Sequence, residues 1–264
     1  MPHLTWAQNL WAVMGGFLTG GLLGLLGGTG SALVLPVLII LVGVRVRLAL
    51  GTAAVSAALL ALISAWVHFR RGMVEWRAVW MFVVPGVAGI AVGRQWQTAL
   101  PHHVLLTIFG LVLLFHAAIL ARGRDAAVPA SGRGRPPVWM RLAPAGAFIG
   151  ILGGMLGIQG GFLAAPSLVL GGVPIAAAAD SSVISVGSLG IVSAIGYALK
   201  GWVDWRVVAE YLTGGLAGTL VVRLKGGRLV GNRSLVSAGV VLTLMVVSLY
   251  LIAHNVAGFT RPSA

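Results

Sequence analysis

Apolar residues dominate the chain in long runs, and short polar stretches divide them. In the first half the runs lie near residues 6–27, 31–44, 48–69, 77–97 and 102–121; in the second they lie near 140–158, 161–173, 176–199, 205–222 and 234–256. Most approach the roughly 20 residues that a membrane-spanning helix needs. The second run of each half is shorter and directly follows a cluster of glycines: "GLLGLLGGTGSALVLPVL" at 21–38 and "GGMLGIQGGFLAAPSLVL" at 153–170. The pattern predicts an all-α integral membrane protein with about five transmembrane segments in each half, one of them a short broken helix.

The two halves read as copies. An offset of 129 residues aligns Gly72, Val74, Trp76 and Arg77 with Gly201, Val203, Trp205 and Arg206, and Glu75 with Asp204. An offset of 130 aligns Gly24, Gly27, Gly30 and Pro36 with Gly154, Gly157, Gly160 and Pro166. The division expected is a first transmembrane repeat at 1–122, a cytoplasmic linker at 123–138 rich in Pro, Gly, Ser and Arg, and a second repeat at 139–264. Five crossings per half is an odd number, so the second repeat is expected to sit upside down relative to the first.

Composition agrees with a place in lipid. Of 264 residues, 58% are hydrophobic and only 9% are charged, with a mean hydropathy of +1.00, too few charges to coat a soluble domain. The net charge of +13 would suggest nucleic acid in a soluble protein. Here the basic residues punctuate apolar runs, as loops of membrane proteins do, and no nucleic-acid partner is expected. With ten crossings, Arg70, Arg71, Arg77, the arginines at 122–141 and the basic group at 223–233 share one side. Arg45, Arg47, Arg94, Lys200, Arg206 and Arg261 share the other, twelve against six. That asymmetry points to a multi-pass protein of the cell (inner) membrane with both termini outside the cytoplasm. Eight crossings give a weaker split of eleven against seven. The N-terminal run lacks a basic flank and reads as a retained span. There is no cysteine, which removes disulfides, thiolate nucleophiles and Cys–metal sites; no metal or cofactor is expected.

The broken segments are the candidate site. The first amides of a helix lack an intrahelical acceptor and carry the positive end of its dipole, so they attract anions. Glycine lets a ligand reach them. Gly28, Thr29, Gly30 and Ser31 in the first half, and Gln159, Gly160 and Gly161 in the second, are read as substrate-binding. Gly30→Leu or Gly160→Leu is expected to block the site and leave the fold intact. Gly16, Gly20, Gly24, Gly146, Gly150 and Gly154, spaced by four, read as helix packing. Hydroxyls on the next helix of each half, Thr52 and Ser56 aligned with Ser181 and Ser185 and accompanied by Ser182, are further candidates to donate to an oxyanion. Their bland role is bonding to a helix backbone. Asp180 and Glu210 are candidates for a coupling proton, weighed against capping and pairing with arginine.

The glycine-rich segments, the "RRGMVEWR" and "KGWVDWR" turns and the doubled layout resemble the TauE/SafE family of sulfite exporters over roughly residues 10 to 255. The resemblance implies a secondary transporter, an exporter of sulfite or small organosulfonates, whose partners are a small anion, membrane lipid and, as an open option, a second copy in a homodimer. One departure is local: Thr29 and Ser31 stand in the first cluster where the second has Gln159. A passive anion channel is the nearest alternative. A membrane-embedded enzyme is the more distant one, since no metal-binding His spacing and no Gly-x-Ser-x-Gly turn occurs.

Overall fold

Prolines and glycines set where helices start and stop. Pro101, Pro137 and Pro174 each stand immediately before a helix, where a fixed φ and a missing N–H cost nothing. Gly157, at φ +66°, ends one helix in the left-handed conformation, and its amide bonds back to the Gly153 carbonyl at 3.1 Å. Gly160, at φ +57°, starts the next; its carbonyl accepts from the amides of Leu163 and Ala164 at 2.8 and 2.9 Å.

The computed structural model describes residues 6–26, 31–69, 74–121, 137–158, 160–229 and 233–256. Among these, every element is helical: α1 (Trp6–Leu26), α2 (Ser31–Leu41), α3 (Val46–Phe69), α4 (Trp76–Ala99), α5 (His102–Ala121), α6 (Val138–Leu156), α7 (Gly161–Leu170), α8 (Ile175–Leu199), α9 (Trp205–Leu229) and α10 (Arg233–Val256). The fold is that of an all-α membrane protein, and six of the described helices are long and apolar enough to cross a bilayer. Short α2 and α7 occupy the expected places. After Pro36 the winding of α2 widens to a π turn, with the Val42 amide on the Val37 carbonyl at 3.1 Å. Most of the expected linker, 123–136, lies outside the described residues, as do Gly28, Thr29, Gly30 and Gln159.

The halves interlock rather than stand side by side. α1 packs on α9, and α4 packs on α6. Gly16 and Gly20 lie on the carbonyls of Tyr211 and Gly215, while Gly146 and Gly150 lie on those of Phe82 and Gly86. Reading up each pair, the numbers rise together, so both pairs run parallel. A Cβ at any of these glycines would strike backbone, which accounts for the four-residue spacing in the sequence.

Between these pairs lie α3 and α8, which pack on each other. They run in opposite directions: Gly51 lies against Tyr197, and Leu62 against Gly187. Leu60 packs on Gly215, and its aligned counterpart Leu189 packs on Gly86, the counterpart of Gly215. Trp6, Trp80, Trp96 and Trp205 sit exposed on the outer surface, which suits a perimeter that meets lipid.

Candidate functional site

The repeated acidic turn has a structural partner that the sequence alone did not name. The Glu75 amide donates to Ser181 Oγ at 2.9 Å, and the Asp204 amide donates to Thr52 Oγ1 at 3.0 Å. Each half therefore supplies the hydroxyl that holds the turn of the other. The clue was available: Thr52/Ser181 and Glu75/Asp204 are conserved between the halves at one and the same offset. Asp204 adds a cap, its Oδ1 accepting from the amides of Arg206 and Val207 at 3.2 and 3.3 Å. Thr52 and Ser181 thus spend an acceptor lone pair on structure and keep one hydroxyl proton.

One helical turn further in, Ser56 and Ser185 differ from them. Both are fully buried, and neither hydroxyl oxygen has a hydrogen-bond partner among the described residues. A buried hydroxyl without a partner costs about 1–3 kcal/mol, so a matched pair of them marks a place where something polar belongs. Ser182, by contrast, bonds to the Ala179 carbonyl of its own helix at 2.8 Å, the bland role expected of a helical serine.

The short helices bring their amino ends to the same depth. Gly160 lies on Ile149, next to Gly150, which lies on Gly86, where Leu189 packs. From there α7 returns toward the surface where α6 begins: Arg141 Nη1 donates to the Leu170 carbonyl at 3.1 Å, and Gly171 lies on Leu142. Its ten residues span about 15 Å, half of the roughly 30 Å hydrocarbon thickness. On the other side, Ser31 at the start of α2 shares a crevice of about 10 Å³ with Thr19, Leu23, Val34, Ala57 and Leu60, room for a single water. Leu60 and Leu189 are aligned counterparts, so both helix starts stand level with the middle of the α3–α8 pair.

Side chains of α8 donate to carbonyls in the last turn of α6. Ser193 Oγ donates to the Gly153 carbonyl and Tyr197 Oη to that of Gly154, each at 2.9 Å. Acceptors at the break are thereby covered, which leaves the amino end of α7 as its electropositive feature. Across the fold, Tyr211 Oη lies 2.5 Å from Thr19 Oγ1, which also lies 2.8 Å from the Gly15 carbonyl. Thr19 and Tyr211 have no counterpart of their kind in the other half, whereas Ser193 aligns with Ser64 and Tyr197 with His68 at the offset of 129.

Gly160 requires a correction. A side chain there would meet the Ile149 methyl group and adopt an unfavourable positive φ. Gly160→Leu therefore disturbs the packing of α6 on α7 as well as any ligand, and it does not isolate binding.

The two acids sit differently. Asp180 is buried in the second turn of α8. Glu210, half-buried, pairs with the exposed Arg206 one turn below it in α9, Oε1 to Nε at 3.3 Å. Basic groups gather where α3 starts and α8 ends. Arg94 donates to the Gly196 carbonyl at 2.6 Å, and the Arg47 guanidinium and the Lys200 ammonium stand over the Trp202 ring, 5.6 and 4.6 Å from its centroid. Desolvation, then the Arg94 charge, holds the Lys200 ammonium below the ordinary lysine range. Among the described residues, no group of three or more His, Asp or Glu is placed to hold a metal ion.

Comparison with known proteins gives a consistent set of relatives. The family model for the sulfite exporter TauE/SafE matches residues 12–251. A "Probable membrane transporter protein" of Xylella fastidiosa (strain Temecula1) is 32% identical over 249 residues, covering 93% of this chain and 95% of that protein. The "Probable membrane transporter protein YdhB" of Bacillus subtilis (strain 168) is 25% identical over 211 residues, covering 78% and 85%. No solved structure matches the chain.

Proposed function

The chain belongs to the TauE/SafE sulfite exporter family, and from that premise we propose that this multi-pass membrane transporter exports a sulfur-containing monoanion, bisulfite or a small organosulfonate. The observation that carries the reading is the pair of helix amino ends at mid-depth, with the buried hydroxyls of Ser56 and Ser185 one turn to either side. Backbone amides and hydroxyls offer donors and partial positive charge to an oxyanion. Broken helices with their starts at mid-depth are a recurring way to hold an anionic substrate.

Charge number follows from the same inventory. No lysine or arginine stands near the centre of α3 or α8. Helix ends supply fractional charge, about half a unit each. Two such ends match one negative charge, and a second would go uncompensated at a large desolvation cost. Sulfite titrates near neutrality, so its binding should tighten as pH falls and the singly charged form accumulates. A permanently monoanionic sulfonate is the control. Dissociation constants measured for both from pH 6 to 8 on the purified protein test the proposal. Tighter sulfite binding at high pH, with the sulfonate unchanged, would mean that the site prefers a dianion.

Orientation belongs to the proposal as well. The opposed directions of α3 and α8 suit an inverted second half, and the basic connector would then face the cytoplasm. The chain lacks cysteine, so single cysteines at positions 132 and 203 report directly. They should label from opposite sides of the membrane; labelling from one side would reject the inverted arrangement.

A further inference from the structure

A groove of about 760 Å³ opens on the outer surface between α4, α5 and α6, lined almost wholly by apolar side chains. Trp96 and Leu111 form part of its exposed rim, Ile108 and Val112 its flanks, and Met155 and Leu163 its buried floor. Leu163 lies in the first turn of α7, so the broken helix forms part of the floor of the groove, beside Met155 of α6.

Three observations bear on what fills it. The first is chemistry: a wall without polar groups on the lipid-facing perimeter takes hydrocarbon, since nothing in it can satisfy a polar ligand. The second is length. Gly86 stands level with the middle of the α3–α8 pair, and Trp96, on the same helix, stands about 15 Å beyond it, the depth of one leaflet. The third is charge. Where α4 turns into α5, the lining residues Leu100 and Val104 flank His102 and His103, and Arg47 is close enough for its charge to act on His102. Arg47 itself is exposed at that surface. A hydrocarbon slot one leaflet deep, with the exposed Arg47 guanidinium as the positive charge at its interfacial end and the His102 imidazole beside it as a hydrogen-bond donor, complements a phospholipid that has an anionic headgroup.

We propose that this groove binds one acyl chain of an anionic phospholipid, whose headgroup meets Arg47 and His102, and that the chain rests against the first turn of α7. The bound lipid then braces the broken helix from outside, and its exchange is coupled to the position of the α7 amino end. The site is separate from the hydroxyl pair on α3 and α8 and does not depend on which anion is carried.

Native mass spectrometry of the detergent-purified full chain, titrated with phosphatidylglycerol or with phosphatidylcholine of the same acyl chains, tests this. One phosphatidylglycerol should bind per protein at least about fivefold more tightly than phosphatidylcholine, the effect expected of a basic residue near a headgroup. Arg47→Gln combined with His102→Gln should erase that preference and leave weak binding of both lipids. Leu111→Trp, a change at an exposed rim position, should fill the groove and weaken both lipids alike. Equal affinity for the two lipids in the wild type would overturn the proposal. So would unchanged lipid binding in Leu111→Trp. A wild-type dimer that dissociates in Leu111→Trp would also overturn it, because the occupant would then be a second copy of the chain.

Discussion

The α1–α9 and α4–α6 pairs have the same backbone and different chemistry. Gly16 on Tyr211 and Gly20 on Gly215 repeat as Gly146 on Phe82 and Gly150 on Gly86, carbonyl for carbonyl. At the middle of the first pair stand two bonded hydroxyls, Thr19 and Tyr211, beside a crevice that Ser31 enters. The aligned positions in the second pair are Ile149 and Phe82, and Ile149 fills the space over Gly160. Glycine contacts are dictated by how close two backbones must come, so they persist in both copies. Side chains at the centre are free of that demand. They make one half-site polar, with room for a single water, and the other closed and apolar, so the two broken helices are not interchangeable ends of one symmetric cage.

The largest effects should come from what the pairs share. Gly20→Leu and Gly150→Leu drive a side chain into the backbone of the opposite helix, and each should cost more than the roughly 1–3 kcal/mol of ordinary overpacking. Loss of monodisperse protein on size exclusion, to a similar degree in both, is the expected readout. A clear difference between them would show that the two interfaces bear unequal load.

Next come changes that break the difference. Tyr211→Phe removes one hydroxyl while Thr19 keeps the Gly15 carbonyl, so stability should fall by only about 1 kcal/mol. Phe82→Tyr buries a hydroxyl opposite Ile149 with no partner and should cost about 1–3 kcal/mol. Adding Ile149→Thr to Phe82→Tyr rebuilds the pair and should recover part of the loss. Thermal unfolding in detergent of the two single variants and the double variant measures this coupling. Additive losses would mean that the hydroxyl pair is incidental.

How much of this was legible in the sequence depended on repetition. The glycine packing, the broken short helices and the Glu75 and Asp204 turns were visible because both halves carry them. The hydroxyl latch was half visible: Thr52 and Ser181 stood out, but as ligands for an anion, because their partners lie 152 and 106 residues away in sequence. Thr19 and Tyr211 were illegible, since each occurs once and nothing local marks an apolar helix's threonine as half of a buried pair. Gly160 was legible as special, but its packing was not, because the Ile149 methyl group over it comes from the preceding helix.

The latch gives an intermediate effect that should be equal in the two halves. Thr52→Ala strands the Asp204 amide and Ser181→Ala strands that of Glu75, each costing about 1–3 kcal/mol. Thr52→Ser and Ser181→Thr should retain most of the stability. Glu210→Gln should have the smallest effect, below about 1 kcal/mol, because it keeps the side chain's shape and loses only the charge of a pair whose Arg206 partner is exposed. If transport nevertheless loses its pH dependence in Glu210→Gln, that carboxylate carries a coupling proton.

Transport itself is most directly tested with Ser56 and Ser185. Neither hydroxyl holds up the fold, so Ser56→Ala combined with Ser185→Ala should unfold at or above the wild-type temperature. In proteoliposomes, the wild type should move a small sulfonate with saturable kinetics, and the double variant, equally folded and equally inserted, should move it at least about tenfold more slowly, the loss of roughly one hydrogen bond to a charged group. Wild-type flux by the folded double variant would contradict a substrate path between α3 and α8.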